Sequence, residues 1–118
     1  MFRLRSFILI TALFSCEVAV AQDAGSASRA LPGCRDYLID AGGDSVSRAY
    51  NTGVCGGIMR TMFYFGSSRL GACIPEKATV GQAARVVVQY IDGLPARMHE
   101  PFEKLALEAL QKTWPCKR

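Results

Sequence analysis

The chain has 118 residues, half of them hydrophobic, with 14 basic and 10 acidic side chains, one histidine and a formal charge of +4. That length suits one domain with a small core. The cations are scattered, among them Arg29, Arg35, Arg48, Arg60, Arg69, Lys77, Arg85 and Arg97. No basic stripe with interleaved aromatics forms, which argues against nucleic acid as a partner.

Arg3 and Arg5 make a basic n-region, residues 7–14 form an apolar run broken only by Thr11, and Ala19-Val20-Ala21 supplies a small-x-small cleavage pattern before Gln22. The run is shorter than the roughly 20 residues of a membrane-spanning helix. Residues 1–21 therefore read as a signal peptide cleaved after Ala21, and no membrane association is expected once it is removed. Leu13-Phe14-Ser15-Cys16 is a loose lipoprotein pattern in which bulky Phe14 fits poorly. Cleavage takes Arg3, Arg5 and Glu17 with it, leaving 97 residues with 12 basic and 9 acidic side chains and a formal charge of +3.

Cleavage also removes Cys16, leaving Cys34, Cys55, Cys73 and Cys116. An even count in a small exported domain reads as two disulfides, for which three connectivities are possible. A helical hairpin between Cys73 and Cys116 would return its two ends to one place, which favours 73–116 and leaves 34–55. A metal site is disfavoured, because there is no Cys-x-x-Cys and the one histidine is His99.

Residues 22–30 are small and polar and read as a flexible leader, so that a single domain spans 31–118. Pro32 sits where a first helical turn favours proline, and a short helix from there to Asp40 is expected. Gly42-Gly43 breaks it, and Asp44 or Ser45 can cap a second helix running to Phe65. Val46, Tyr50, Val54, Ile58, Met62 and Phe65 fall at helical spacing and predict its buried stripe. Gly53, Gly56 and Gly57 weaken that helix but allow another backbone close to Cys55. Gly66 is expected to end it, with a polar loop over 67–72.

Thr79-Val80-Gly81-Gln82 has the form of a capping box, and Val80, Ala83, Ala84, Val87 and Ile91 make one apolar face. Gly93-Leu94-Pro95 stops this helix. The last helix begins near 98–101 and carries Phe102, Leu105, Ala106, Ala109 and Thr113 on one stripe, with Leu107, Leu110 and Trp114 on a second. Two apolar faces suit either deep burial or a partner surface, including a homodimer. With no convincing period-2 alternation, the fold class is all-α: a small bundle of about four helices tied by two disulfides.

The ordered set Cys73-Ile74-Pro75, Thr79-x-Gly81-Gln82, Val86-Val87-x-x-Tyr90-Ile91, Leu94-Pro95, Leu105-x-x-Glu108-Ala109-Leu110 and Trp114-Pro115-Cys116 resembles the type VI secretion amidase immunity (Tai) family. Its members are also known as resistance-associated proteins. Cys34 and Cys55-Gly56-Gly57-Ile58 match the family's upstream cysteine pair, and Trp114 stands where phenylalanine is commoner. The match is good over 73–116 and looser over 31–65.

The resemblance implies a small periplasmic protein without catalysis of its own, often dimeric, whose partner is a peptidoglycan amidase effector that it binds and inhibits. It requires no cofactor. The candidate partner-binding loops are 67–72 and 93–100, whose polar members are Arg69, Arg97 and His99; any solvated loop would show the same residue types. The alternative is an orphan exported helical envelope protein with a structural or stress role and no amidase partner. Catalysis fits poorly: oxidised cysteines leave no thiolate, His99-Glu100 lacks the second histidine of a zinc protease helix, and Ser45, Ser47, Ser67 and Ser68 lie in no nucleophile elbow.

Overall fold

The computed structural model describes residues 25–40 and 44–117. The signal-peptide reading of residues 1–21 and the Gly42-Gly43 break lie outside the described residues. Four α-helices are described: α1 (Ala27–Leu38), α2 (Val46–Phe65), α3 (Val80–Asp92) and α4 (Phe102–Thr113). α1 packs mainly on α2 and α3 on α4, while α1 also meets α3 and α4 and α2 meets α3. Among the described residues there is no strand, only the isolated bridges Ser26–Pro101 and Ala72–Pro115. The all-α fold and both disulfides, Cys34–Cys55 and Cys73–Cys116, stand as the sequence suggested. No helix among the described residues is long and apolar enough to cross a membrane.

α1 starts at Ala27, earlier than Pro32 suggests, and Pro32 lies inside it. The reason is tertiary. The first amides of a helix have no intrahelical acceptor, and here Ala27 N–H donates to Glu100 O at 2.9 Å and Ser28 N–H to Met98 O at 2.9 Å. Phe102 N–H returns a bond to Gly25 O at 2.8 Å, so the starts of α1 and α4 are stitched together. Ser26, Ala27 and Leu31 are buried by this junction, so part of the stretch read as a leader belongs to the packed domain.

α2 begins as expected at Ser45, whose hydroxyl accepts from Arg48 N–H at 3.2 Å. Its buried face is Cys55, Gly56, Met59 and Met62; of the stripe predicted from spacing, Met62 is buried and Ile58 packs against the core. Val46 (89% exposed), Tyr50 (70% exposed), Val54 and Phe65 instead face outward. The Cys34–Cys55 bridge, with Cα atoms 5.1 Å apart, fixes the rotation of α2 about its axis. Gly33 of α1 completes the contact, since a Cβ there would lie 2.5 Å from Asn51 O. Of the three α2 glycines, Gly56 packs against Tyr37, while Gly53 and Gly57 face open space.

The helical path does not stop at Gly66, which is right-handed helical. It widens into a π turn over Gly66–Leu70 and ends at Gly71, whose φ of 68° lies in the left-handed region that favours glycine. The 67–72 loop is thus largely a helical extension. α3 carries the full capping box: Thr79 Oγ1 accepts from Gln82 N–H at 3.1 Å, and Gln82 Oε1 accepts from Thr79 N–H at 2.8 Å. Ala83, Ala84, Val87 and Ile91 are fully buried, as the periodicity requires. On α4, Phe102, Leu105, Ala106, Ala109 and Leu110 enter the core, with Trp114 packed at its edge. Both stripes of that helix therefore contribute to burial. The Cys73–Cys116 bridge, with Cα atoms 4.9 Å apart, and the Cys73 N–H bond to Trp114 O at 2.8 Å close the hairpin.

Candidate functional site

The α3–α4 connection contains a 3₁₀ turn, Pro95–Arg97, and Arg97 is its fixed point. Its guanidinium grips two carboxylates at once. Nε and Nη2 donate to Glu100 at 2.6 and 2.9 Å, and Nη1 and Nη2 donate to Glu108 at 2.8 and 2.9 Å. Paired, planar contacts of this kind give arginine its geometric specificity for carboxylates. Lys104 Nζ adds 2.9 Å to Glu100, Tyr90 donates its hydroxyl to Glu108 at 3.2 Å, and Lys112 donates to that hydroxyl at 2.9 Å.

Hydrogen bonds from Arg97 and then Lys104 hold the Glu100 carboxyl down at about 2, against partial desolvation. The Arg97 hydrogen bond also depresses Glu108, opposed by desolvation and aided by Tyr90. The two carboxylates in turn raise Arg97 above its ordinary value. Arg97 is thus committed to holding the 94–101 segment on α4.

Arg69 and His99, by contrast, are exposed and make no ion pair among the described residues. They do not come together. Arg69 lies in the π turn beside the end of α4, where Gln111 Nε2 donates to Leu70 O at 2.7 Å. Arg97 and His99 lie before the start of α4. The twelve residues of that helix separate the two loops by roughly 18 Å along its axis. They are two separate polar loops on one scaffold.

The larger concavity was not marked by sequence reasoning. It is a groove of about 480 Å³ along the outer face of α3, formed by Gln82, Arg85, Val86 and Gln89 at i, i+3, i+4 and i+7. The 75–78 loop adds Pro75 and Lys77, and Trp114 forms part of the opposite wall. Trp114 is placed there by the Cys73–Cys116 closure, which draws the end of α4 beside the approach to α3. Lys77 and Arg85 make no ion pair among the described residues, and no acidic side chain lines the groove; Glu76 lies on the same loop outside the lining. The only sequence signal was the helical spacing of the polar α3 face. Lys77 and Trp114 join it through tertiary closure.

A smaller concavity of about 210 Å³ lies between α1 and α2, lined by Arg29, Ala30, Tyr50, Asn51 and Val54. It continues the exposed apolar face of α2.

Cys34, Cys55, Cys73 and Cys116 are all disulfide-bonded, so none offers a thiolate nucleophile. Among the described residues no group of three or more His, Cys, Asp or Glu side chains is placed to hold a metal ion. The surface presents two polar loops, a basic groove lined in part by an indole, and an apolar helix face. A family model described as Rap1a immunity proteins matches residues 15–116. Comparison with curated proteins and with solved structures gave no match.

Proposed function

The chain belongs to the family of Rap1a immunity proteins, and from that premise we propose that it is exported to the periplasm and there binds and inhibits a peptidoglycan amidase delivered by type VI secretion. The family match over residues 15–116 carries the immunity role. The amidase target rests on the motif set from Cys73-Ile74-Pro75 to Trp114-Pro115-Cys116, which resembles the amidase immunity branch. Two disulfides suit an oxidising compartment, and the n-region, apolar run and Ala19-Val20-Ala21 pattern support export with cleavage after Ala21.

Inhibition by such a protein is occlusion: a rigid body presents a surface that fills the enzyme's cleft and excludes substrate. Arg69 and His99 are the exposed polar contacts we assign to the two loops, with Arg97 setting the shape of the second. A rigid scaffold lowers the ordering entropy lost on association. The four cysteines serve as that scaffold and catalyse nothing.

The exposed face of Val46, Tyr50 and Val54 supports a homodimer, since a second copy would remove this apolar area from water. A Tyr50→Glu substitution would then shift the mass measured by light scattering from dimer to monomer.

The test of the main reading is inhibition. Oxidised mature protein is mixed with a cysteine-type peptidoglycan amidase effector of type VI secretion, and turbidity loss of purified cell wall is followed. A stoichiometric loss of amidase activity supports the reading. Full activity at micromolar excess returns the protein to the class of envelope proteins with a structural or stress role.

A further inference from the structure

We propose that the groove between α3 and Trp114 is a docking site for an acidic, extended segment of a partner protein. The inference deepens the immunity reading and rests on it for the partner's identity; the chemistry of the groove stands on its own residues. Lys77 and Arg85 put two cations into one concavity that no acidic side chain lines. Four other cations are engaged by carboxylates, Arg35 by Asp92, Arg48 by Asp36 and Asp44, Arg97 by Glu100 and Glu108, and Lys104 by Glu100. An unpaired cation pair in a concave setting attracts carboxylates from solution and orients them.

The rest of the groove suits a peptide more than a lone anion. Gln82 and Gln89 lie seven residues apart on one helix face, about two turns or roughly 10 Å; the Gln89 amide can both donate to and accept from a peptide backbone, while Gln82, whose Oε1 caps α3, offers its NH2 as a donor. Val86 and Trp114 give apolar surface between the polar positions. Trp114 is itself held, by its N–H bond to Leu110 O at 2.9 Å and by Cys73 N–H on its carbonyl, so its indole is mounted on fixed backbone. An extended segment with carboxylates at alternate positions would set its acids on Lys77 and Arg85 and its backbone along the two glutamines.

Trp114 is the only tryptophan of the chain, so its fluorescence reports directly on this groove. The probes are a blocked penta-glutamate peptide, a penta-lysine control and vesicles of anionic phospholipid, each titrated into oxidised mature protein. The expected result is a saturable change in Trp114 emission with penta-glutamate alone, weakened by salt because the contacts are ionic. The double substitution Lys77→Glu with Arg85→Glu should weaken it at least about tenfold, while helicity and both disulfides are unchanged.

No response to penta-glutamate, or a response that the double substitution leaves intact, overturns the proposal. A response to vesicles without one to the peptide also overturns it, in favour of a membrane surface. The same variant is then tested for inhibition of that amidase effector. Lost inhibition with the peptide response also lost ties the groove to that partner. An amidase untouched by either protein removes the amidase target and leaves the groove to the peptide titration.

Discussion

Gly33 and Asn51 meet backbone to backbone: a Cβ on Gly33 would stand 2.5 Å from the Asn51 carbonyl oxygen and 2.7 Å from its carbon. This approach lets Cys34 and Cys55, one and four residues further along their helices, come within bonding reach. Neither backbone can yield without moving a helix. Gly33→Ala is therefore expected to lower stability in urea by about 2–3 kcal/mol. Gly57→Ala, at a position facing open space in the same helix pair, should raise it by up to about 1 kcal/mol through helix propensity. Equal effects of the two alanines would remove the close-packing account of α1 and α2.

The Arg97 cluster predicts a defined acid sensitivity. Glu100 is held at about 2 and Glu108 below its ordinary value, so both titrate lower in the folded chain than in the unfolded chain. Their stabilisation is fully present above about pH 4.5 and is lost as pH falls towards 2. Arg97→Met removes the hydrogen bonds that cause the depression. The gap in unfolding midpoint between native protein and variant should be widest at neutral pH and narrow across that window; a gap constant down to pH 2 would contradict the assignment.

The two disulfides differ in access. Cys34 and Cys55 are 1% exposed, whereas Cys73 is exposed and Cys116 half-buried. A millimolar phosphine under native conditions should open 73–116 first, with alkylation of Cys34 and Cys55 at least about tenfold slower and tracking global unfolding. Loop-entropy arguments assign about 4 kcal/mol to the 43-residue closure and about 3 kcal/mol to the 21-residue one. Partial reduction should therefore lower the thermal midpoint well before it exposes Cys34.

Thr52 carries the buried side-chain oxygen that lacks a hydrogen-bond partner among the described residues. A hydroxyl removed from water without a partner costs about 1–3 kcal/mol. Thr52→Val keeps the shape and removes the polar atom, so it should raise the urea midpoint, by about 1 kcal/mol in free energy. A fall in stability would show that the hydroxyl is satisfied in solution.

The hairpin from Cys73 to Cys116 was legible because its signals are local. The Thr79–Gln82 capping box lies within four residues, and the stripe Ala83, Ala84, Val87 and Ile91 repeats on one helix face. α2 was misread in rotation because its aromatic and β-branched residues outnumber the side chains that actually turn inward. Cys55 was the usable signal: once it bonds Cys34, Met59 and Met62 must share its face, and Val46 and Tyr50 cannot. The start of α1 was hidden for a different reason. Its first amides find acceptors on Met98 and Glu100, which no rule about neighbouring residues reaches.

The candidate loops were found as polar punctuation, which identifies Arg69 and Arg97 alike. Only side-chain geometry separates the exposed Arg69 from Arg97, which is engaged by two carboxylates. The groove needed three separated segments to converge: the 75–78 loop, α3 and the end of α4.

The seam between residues 25–28 and 98–102 also sets an order of assembly. The first packed helix to leave the ribosome finds acceptors for its opening amides on one of the last segments to follow it. Until that late stretch arrives, the Ala27 and Ser28 amides lack their protein acceptors and Pro32 withholds one helical bond, both of which weaken α1 in isolation. The start of α1 is therefore capped only once the C-terminal half of the chain is in place.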